Sequence, residues 1–160
     1  MDQKDILAAA DGHRADTRTV VAALGGGQAA QFGKGAADII VAFEKMEAVR
    51  YADYLKPDGV AVINDYEIAS SSIAAGLCEY PDGCLEAMQQ HFRCHVLKAG
   101  EIAEQLGNAK CMNIVLFGSM AKALGMDDID WEAVIAETVP PKFRELNLRA
   151  YRAGHDAVQL

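Results

Sequence analysis

Two apolar runs separated by a helically spaced segment dominate the chain between Ala37 and Asn64. Asp38-Ile39-Ile40-Val41-Ala42-Phe43 is short and rich in β-branched residues, the pattern of a strand buried on both faces. Glu44 to Leu55 has helical spacing, with Ala48, Val49, Ala52 and Leu55 on one side and Glu47 and Arg50 placed for a weak surface ion pair. Lys56-Pro57-Asp58-Gly59 reads as a turn, since proline pre-sets φ and glycine accepts φ > 0. Val60 to Ile63 is a second buried strand. Strand, helix and strand make a βαβ unit, which needs a sheet covered on both faces.

The same reading extends in both directions. Asp5 to Ala10 is a short alanine-rich helical patch, and Thr17 to Leu24 is a strand leading into Gly25-Gly26-Gly27-Gln28. Three glycines after a strand suggest a phosphate loop, but GxGxxG spacing and GK[ST] are both missing, and a flexible hairpin-like connection fits better. Tyr66 to Gly83 reads as irregular, with Ser70-Ser71-Ser72 as loop and Tyr80-Pro81-Asp82-Gly83 as a turn. Small residues beyond the carboxyl end of a strand are where open α/β sheets place ligands; a plain crossover is the competing explanation. Gly25, Gly26, Gly27, Ser70 and Ser71 are therefore the candidate nucleotide or coenzyme A contacts. Asp82 is the expected cap of a helix from Cys84 to Phe92. Cys94 to Leu97 is a short strand, and Gly100 to Leu106 is a helix that Gly107-Asn108 stops.

The apolar run from Ile114 to Gly125 is long enough for a helix buried nearly all round, with Gly118 and Ser119 allowing close packing. Asp130 opens a helix carrying Trp131, Val134 and Ile135. After Pro140-Pro141 the last helix runs from Lys142 to about Val158, with Phe143, Leu146, Ala150 and Ala153 as its buried stripe. Lys142, Arg144, Arg149 and Arg152 lie largely off that stripe, as either a partner surface or a solvated face. The pattern as a whole is α/β: three layers, with a mostly parallel sheet flanked by helices in a single domain.

Composition narrows the function classes. The 160 residues are 51% hydrophobic and 24% charged, enough to bury a core without staples. A net charge of −8 disfavours nucleic acid and anionic membranes as partners. No apolar run approaches the ~18 residues of a membrane span, and the first residues lack a signal-peptide pattern, so a cytoplasmic protein is expected. Cys78, Cys84, Cys94 and Cys111 match neither CxxC pairs nor a ferredoxin-type run, which leaves free thiols as the simpler explanation. His13, His91, His95 and His155 are scattered without metal-ligand spacing. No nucleophile–base set and no pair of carboxylates stands apart from the surface charge, so no catalytic residue is assigned.

Several stretches, in order, resemble a known family. ADIIVAFEKMEAVRYADYLKPDGVAVIND resembles the gamma-type subunit or domain of the 2-oxoacid:ferredoxin oxidoreductases, and looks closest to the small subunit of the indolepyruvate enzymes. Glu104-Gln105-Leu106-Gly107-Asn108 with Asn113 to Gly118, the Trp131 helix with Pro140-Pro141-Lys142, and Lys142, Glu145, Leu146 and Asn147 fit the same pattern. The resemblance implies an accessory piece of a thiamine-dependent enzyme that decarboxylates a 2-oxoacid, passes electrons to ferredoxin and releases an acyl-CoA. It places thiamine diphosphate and iron–sulfur clusters in partner subunits, with coenzyme A near this chain and a large catalytic subunit as partner. The family pattern opens with a strand and a GxGGxG turn before the segment like Thr17–Leu24. Only 16 residues precede Thr17 here, so Gly25–Gly27 is not that turn. The resemblance then implies a divergent or truncated member, or a strand supplied by a partner or by a homo-oligomer through the sheet edge. A stand-alone nucleotide or coenzyme A module and a non-catalytic scaffold are the rival readings.

Overall fold

The computed structural model describes residues 20–23 and 33–159. Four strands form one sheet in the order β1 (Val20–Ala23), β2 (Ala37–Ala42), β3 (Leu55–Asn64) and β4 (Arg93–Leu97), and every pairing is parallel. The helices are α1 (Lys45–Arg50), α2 (Ser71–Ala74), α3 (Cys84–His91), α4 (Ala99–Gln105), α5 (Met112–Ala123), α6 (Trp131–Thr138) and α7 (Pro141–Asp156). This is the expected α/β architecture.

The strand alternation builds the three layers. Ile39, Val41, Val60 and Val62 face a cluster that includes Leu97, Ala103, Val115 and Leu116 of β4, α4 and α5. Ile40, Ala42, Ala61 and Ile63 face the other way, onto Ala48 of α1 and Met88 of α3. Burying each of these larger aliphatic side chains contributes about 1.5–3 kcal/mol, which explains why both faces of the sheet are covered.

The βαβ unit differs from its sequence reading at two points. The α-helix ends at Arg50 rather than continuing to Leu55, and Ala52–Tyr54 forms a single 3-10 turn. Lys56 to Gly59 is no inter-element turn but a break in register inside β3: Ala37 pairs with Leu55, and pairing resumes with Ile39 opposite Val60. Gly59 has no positive φ. A Cβ there would sit 2.6 Å from Leu55 Cδ1, so close approach explains the glycine.

On the far side, α5 and α7 cross with backbones in contact. A Cβ on Gly118 would lie 2.1 Å from the Tyr151 carbonyl oxygen, and one on Gly154 would lie 1.8 Å from that of Val115. The Ser119 hydroxyl is 2.8 Å from the Gly154 carbonyl oxygen. The close packing expected at Gly118 and Ser119 is present. The buried stripe of α7, however, is rotated from the expected one. Ala150, Tyr151 and Gly154 are buried and Phe143 is 43% exposed, because the crossing turns the glycine toward α5.

Candidate functional site

The carboxyl ends of β2, β3 and β4 converge on one buried side chain. Asn64, 1% exposed, donates through Nδ2 to the Phe43 carbonyl (3.0 Å) and accepts at Oδ1 from the Ala99 amide (2.9 Å). A carboxamide is suited here because it carries a donor and an acceptor together. Backbone bonds from Asp65 N to Leu97 O (2.8 Å) and from Lys45 N to Tyr66 O (3.1 Å) close the same edge.

Two carboxylates are buried beside it, contrary to the expectation that none stands apart. Glu44 caps α1 by accepting from the amides of Met46 and Glu47 (3.1 and 2.8 Å), and it also accepts from the Tyr80 phenol. The Tyr80 oxygen itself accepts from Met46 N at 2.9 Å, so the segment after β3 is pinned to the start of α1. Burial, and then the Glu44 carboxylate, push the Tyr80 phenol above its ordinary range. Glu47 pairs with Arg50 as expected, but its side chain is only 4% exposed, so the pair is not the surface bridge its spacing suggests. Glu47 Oε2 is buried without a hydrogen-bond partner.

Outside this layer lies an open crevice of about 280 Å³ lined by Lys45, Asp65, Tyr66, Glu67 and Lys98. Lys45 bonds Glu67 at 2.5 Å and lies 3.7 Å from Asp65. The Glu67 bond, with Asp65 adding, holds the ammonium above its ordinary range. Lys98 bonds Glu101 at 3.0 Å. Both crevice cations are thus engaged by carboxylates. The sequence reading missed this set; its signal was polar residues directly after three apolar strands.

Ser70 and Ser71 lie farther along. Ser70 caps α2 through the Ile73 amide, and its hydroxyl lies 3.0 Å from that of Ser72. The expected serine loop is therefore a helix start, and neither Ser70 nor Ser71 lines the crevice. Gly25, Gly26 and Gly27 lie outside the described residues, as does His13. The cap of α3 is Gly83 at φ 78°, not Asp82.

A second cleft, about 210 Å³, opens between the start of α5 and α7 and is lined by Lys110, Asn113, Phe143, Leu146 and Asn147 among others. It brings together two of the segments whose motifs carry the family resemblance. Lys142, Arg144, Arg149 and Arg152 are all exposed on α7. Arg152 forms a two-point bridge to Glu132 of α6, with Nε 2.9 Å from Oε1. Arg144 and Arg149 make no ion pair among the described residues.

Cys84 and Cys111 are buried, Cys94 is partly buried and Cys78 is exposed, all free. Burial pushes the Cys94 thiol up to about 11. Among the described residues no group of three or more His, Cys, Asp or Glu is arranged to hold a metal ion. No helix among them is long and apolar enough to cross a membrane. His95 of β4 has a buried Nε2 without a partner; burial, with Arg93 adding, holds its imidazole below the ordinary value. The unfolded chain therefore binds a proton before the folded one does, and stability should fall as pH drops below about 6.5. Denaturant midpoints between pH 7.5 and 5.5 should show this slope, and His95→Leu should flatten it.

A family model described as pyruvate ferredoxin/flavodoxin oxidoreductase matches residues 13–157. The chain is 32% identical over 132 residues to the indolepyruvate oxidoreductase subunit IorB of Thermococcus kodakarensis, covering 79% of this chain and 65% of that one. It is 33% identical to the subunit of the same name from Archaeoglobus fulgidus, covering 77% and 64%. It thus spans about two-thirds of the length of these curated relatives. Among solved structures, the gamma subunit of a keto/oxoacid ferredoxin oxidoreductase from Geobacter sulfurreducens shares the fold. Its TM-score is 0.57 at 21% identity, over 77% of this chain and 64% of that one. The ordered motifs, the parallel three-layer architecture and the match along most of its length agree: the chain belongs to the pyruvate ferredoxin/flavodoxin oxidoreductase family.

Proposed function

We propose that this chain is an accessory subunit of a thiamine-dependent 2-oxoacid ferredoxin oxidoreductase. The substrate of the complex would be an aryl-pyruvate such as indolepyruvate, decarboxylated oxidatively to an acyl-CoA. The observation that carries this reading is the match in order along residues 13–157, together with relatives named as indolepyruvate oxidoreductase subunits. The cysteine and metal-ligand chemistry of the described residues gives no support to a cluster site here. The four cysteines include two that are buried, and no metal-holding set accompanies them. In this reading, as the family resemblance implies, thiamine diphosphate and iron–sulfur clusters sit in a larger catalytic partner. The part of this chain is to present its carboxyl-edge crevice and the exposed surface of α7 to that partner.

Affinity purification of the tagged full chain from its native cell under anaerobic conditions tests the reading. The expected result is recovery of a large thiamine- and iron–sulfur-containing protein, with dye reduction faster on indolepyruvate than on pyruvate or 2-oxoglutarate. Recovery of the chain alone, inert toward 2-oxoacids, would overturn it. Reversing charge at Lys142 and Arg149 should lower the recovered partner several-fold while leaving the thermal midpoint within a degree or two, since exposed charges contribute little to folding.

A second reading, a stand-alone coenzyme A or nucleotide module, draws on the crevice and its two lysines. An anionic ligand would have to displace Glu67 from Lys45 and Glu101 from Lys98. Saturable thermal stabilisation of the isolated chain by coenzyme A would favour this reading.

A further inference from the structure

We propose that the cleft between α5 and α7 receives an extended acidic segment of the large partner subunit, anchored by one apolar side chain against Phe143 and Leu146. The inference rests on the subunit reading above and names the chemistry of the contact. Size argues first: about 210 Å³ is below the roughly 300–1,000 Å³ of small-molecule sites and suits a single anchoring side chain. Lining chemistry argues next. Asn147 Nδ2 donates to the Phe143 carbonyl (2.8 Å), leaving its oxygen as an acceptor. Asn108 Oδ1 accepts from Lys110 N (3.0 Å), leaving its NH₂ as a donor. Asn113 is exposed, and its side chain makes no hydrogen bond among the described residues. Donors and acceptors side by side match the alternating N–H and C=O groups of extended backbone.

Charge selects the class of segment. The lining contains Lys110 and no carboxylate, on a chain whose net charge is −8. Lys142 Nζ lies 4.8 Å from the centre of the Phe143 ring at the same rim. Phe143 lies off the buried face of α7 and is 43% exposed, as an aromatic awaiting an interface would be.

The test uses the tagged full chain and anaerobic recovery of the large subunit. Asn113→Asp places a carboxylate in the first turn of α5, where the helix dipole favours it, so the thermal midpoint should hold or rise. Recovery of the partner should nevertheless fall about tenfold, because like charges now face each other. Asn113→Lys should retain it, and Phe143→Ala should lose it. Hydrogen exchange on the wild-type complex should show new protection at residues 110–113 and 143–147. Equal recovery by every variant would overturn the cleft while leaving the subunit reading intact. Failure of the wild type to recover any thiamine- and cluster-containing protein would overturn both. An isolated chain that is dimeric and becomes monomeric with Phe143→Ala would assign the cleft to a second copy, which also overturns the proposal.

Discussion

Gly154→Ala should lower the stability of the chain by about 3–5 kcal/mol, a large share of the 5–15 kcal/mol typical of a domain. The added methyl would lie 1.8 Å from the Val115 carbonyl oxygen and 2.6 Å from its carbon, both backbone atoms that no rotamer change can move. Relief requires α5 and α7 to separate, which breaks the Ser119–Gly154 hydrogen bond and loosens the packing of Ala150 and Tyr151. Urea unfolding monitored by circular dichroism measures the loss. Gly100→Ala is the matched control. It also lies within a helix, but its methyl would meet only Met112 Sδ at 3.8 Å, so it should be neutral or stabilising by up to about 1 kcal/mol. If Gly154→Ala unfolds at the wild-type urea concentration, the close crossing is wrong.

Asn64→Ala should cost about 2–4 kcal/mol, because it removes the partner of both the Phe43 carbonyl and the Ala99 amide in a buried site. Asn64→Asp should be at least as damaging. It keeps the acceptor for Ala99 but turns a negative oxygen toward the Phe43 carbonyl inside a site that is 1% exposed. Amide exchange at Ala99 should accelerate in both variants more than exchange at the β2–β3 pairs, which locates the damage at the carboxyl edge. Wild-type exchange at Ala99 in either variant would count against Asn64 as the tie between these strands.

The contrast between these two positions explains what could be read from the chain alone. The sheet was legible because alternation along one strand is a local property: Ile39 and Ile40 each report which face they occupy. Gly118 was legible as a packing position because it interrupts an otherwise continuous apolar helix. Its partner Gly154 was hidden in a polar helix, where Phe143 and Ala153 drew the stripe toward the wrong face. Asn64 carries no local signal, since its two partners are 21 and 35 residues away. Glu44 and Glu47 were read as surface charge because acidic residues at a helix start usually are. Glu44 is bonded by Tyr80, contributed by a segment that looked like plain loop. Periodicity therefore yielded the layers, while the groups at the crevice needed the chain to be closed before their neighbours were known.

The register break in β3 has a practical consequence. Pairing restarts at Val60 and runs unbroken to Asn64 opposite Leu97, so the strand beyond the break is indexed by its own neighbours rather than by the chain before it. Pro57 and Asp58 project into solvent at the opposite end of the strand from Asn64 and the crevice. A short peptide tag or fluorophore spliced between them should leave the carboxyl edge in place, provided Gly59 and the Lys56–Asp38 bridge are kept. That site offers a handle for capturing assemblies without touching either the crevice or α7.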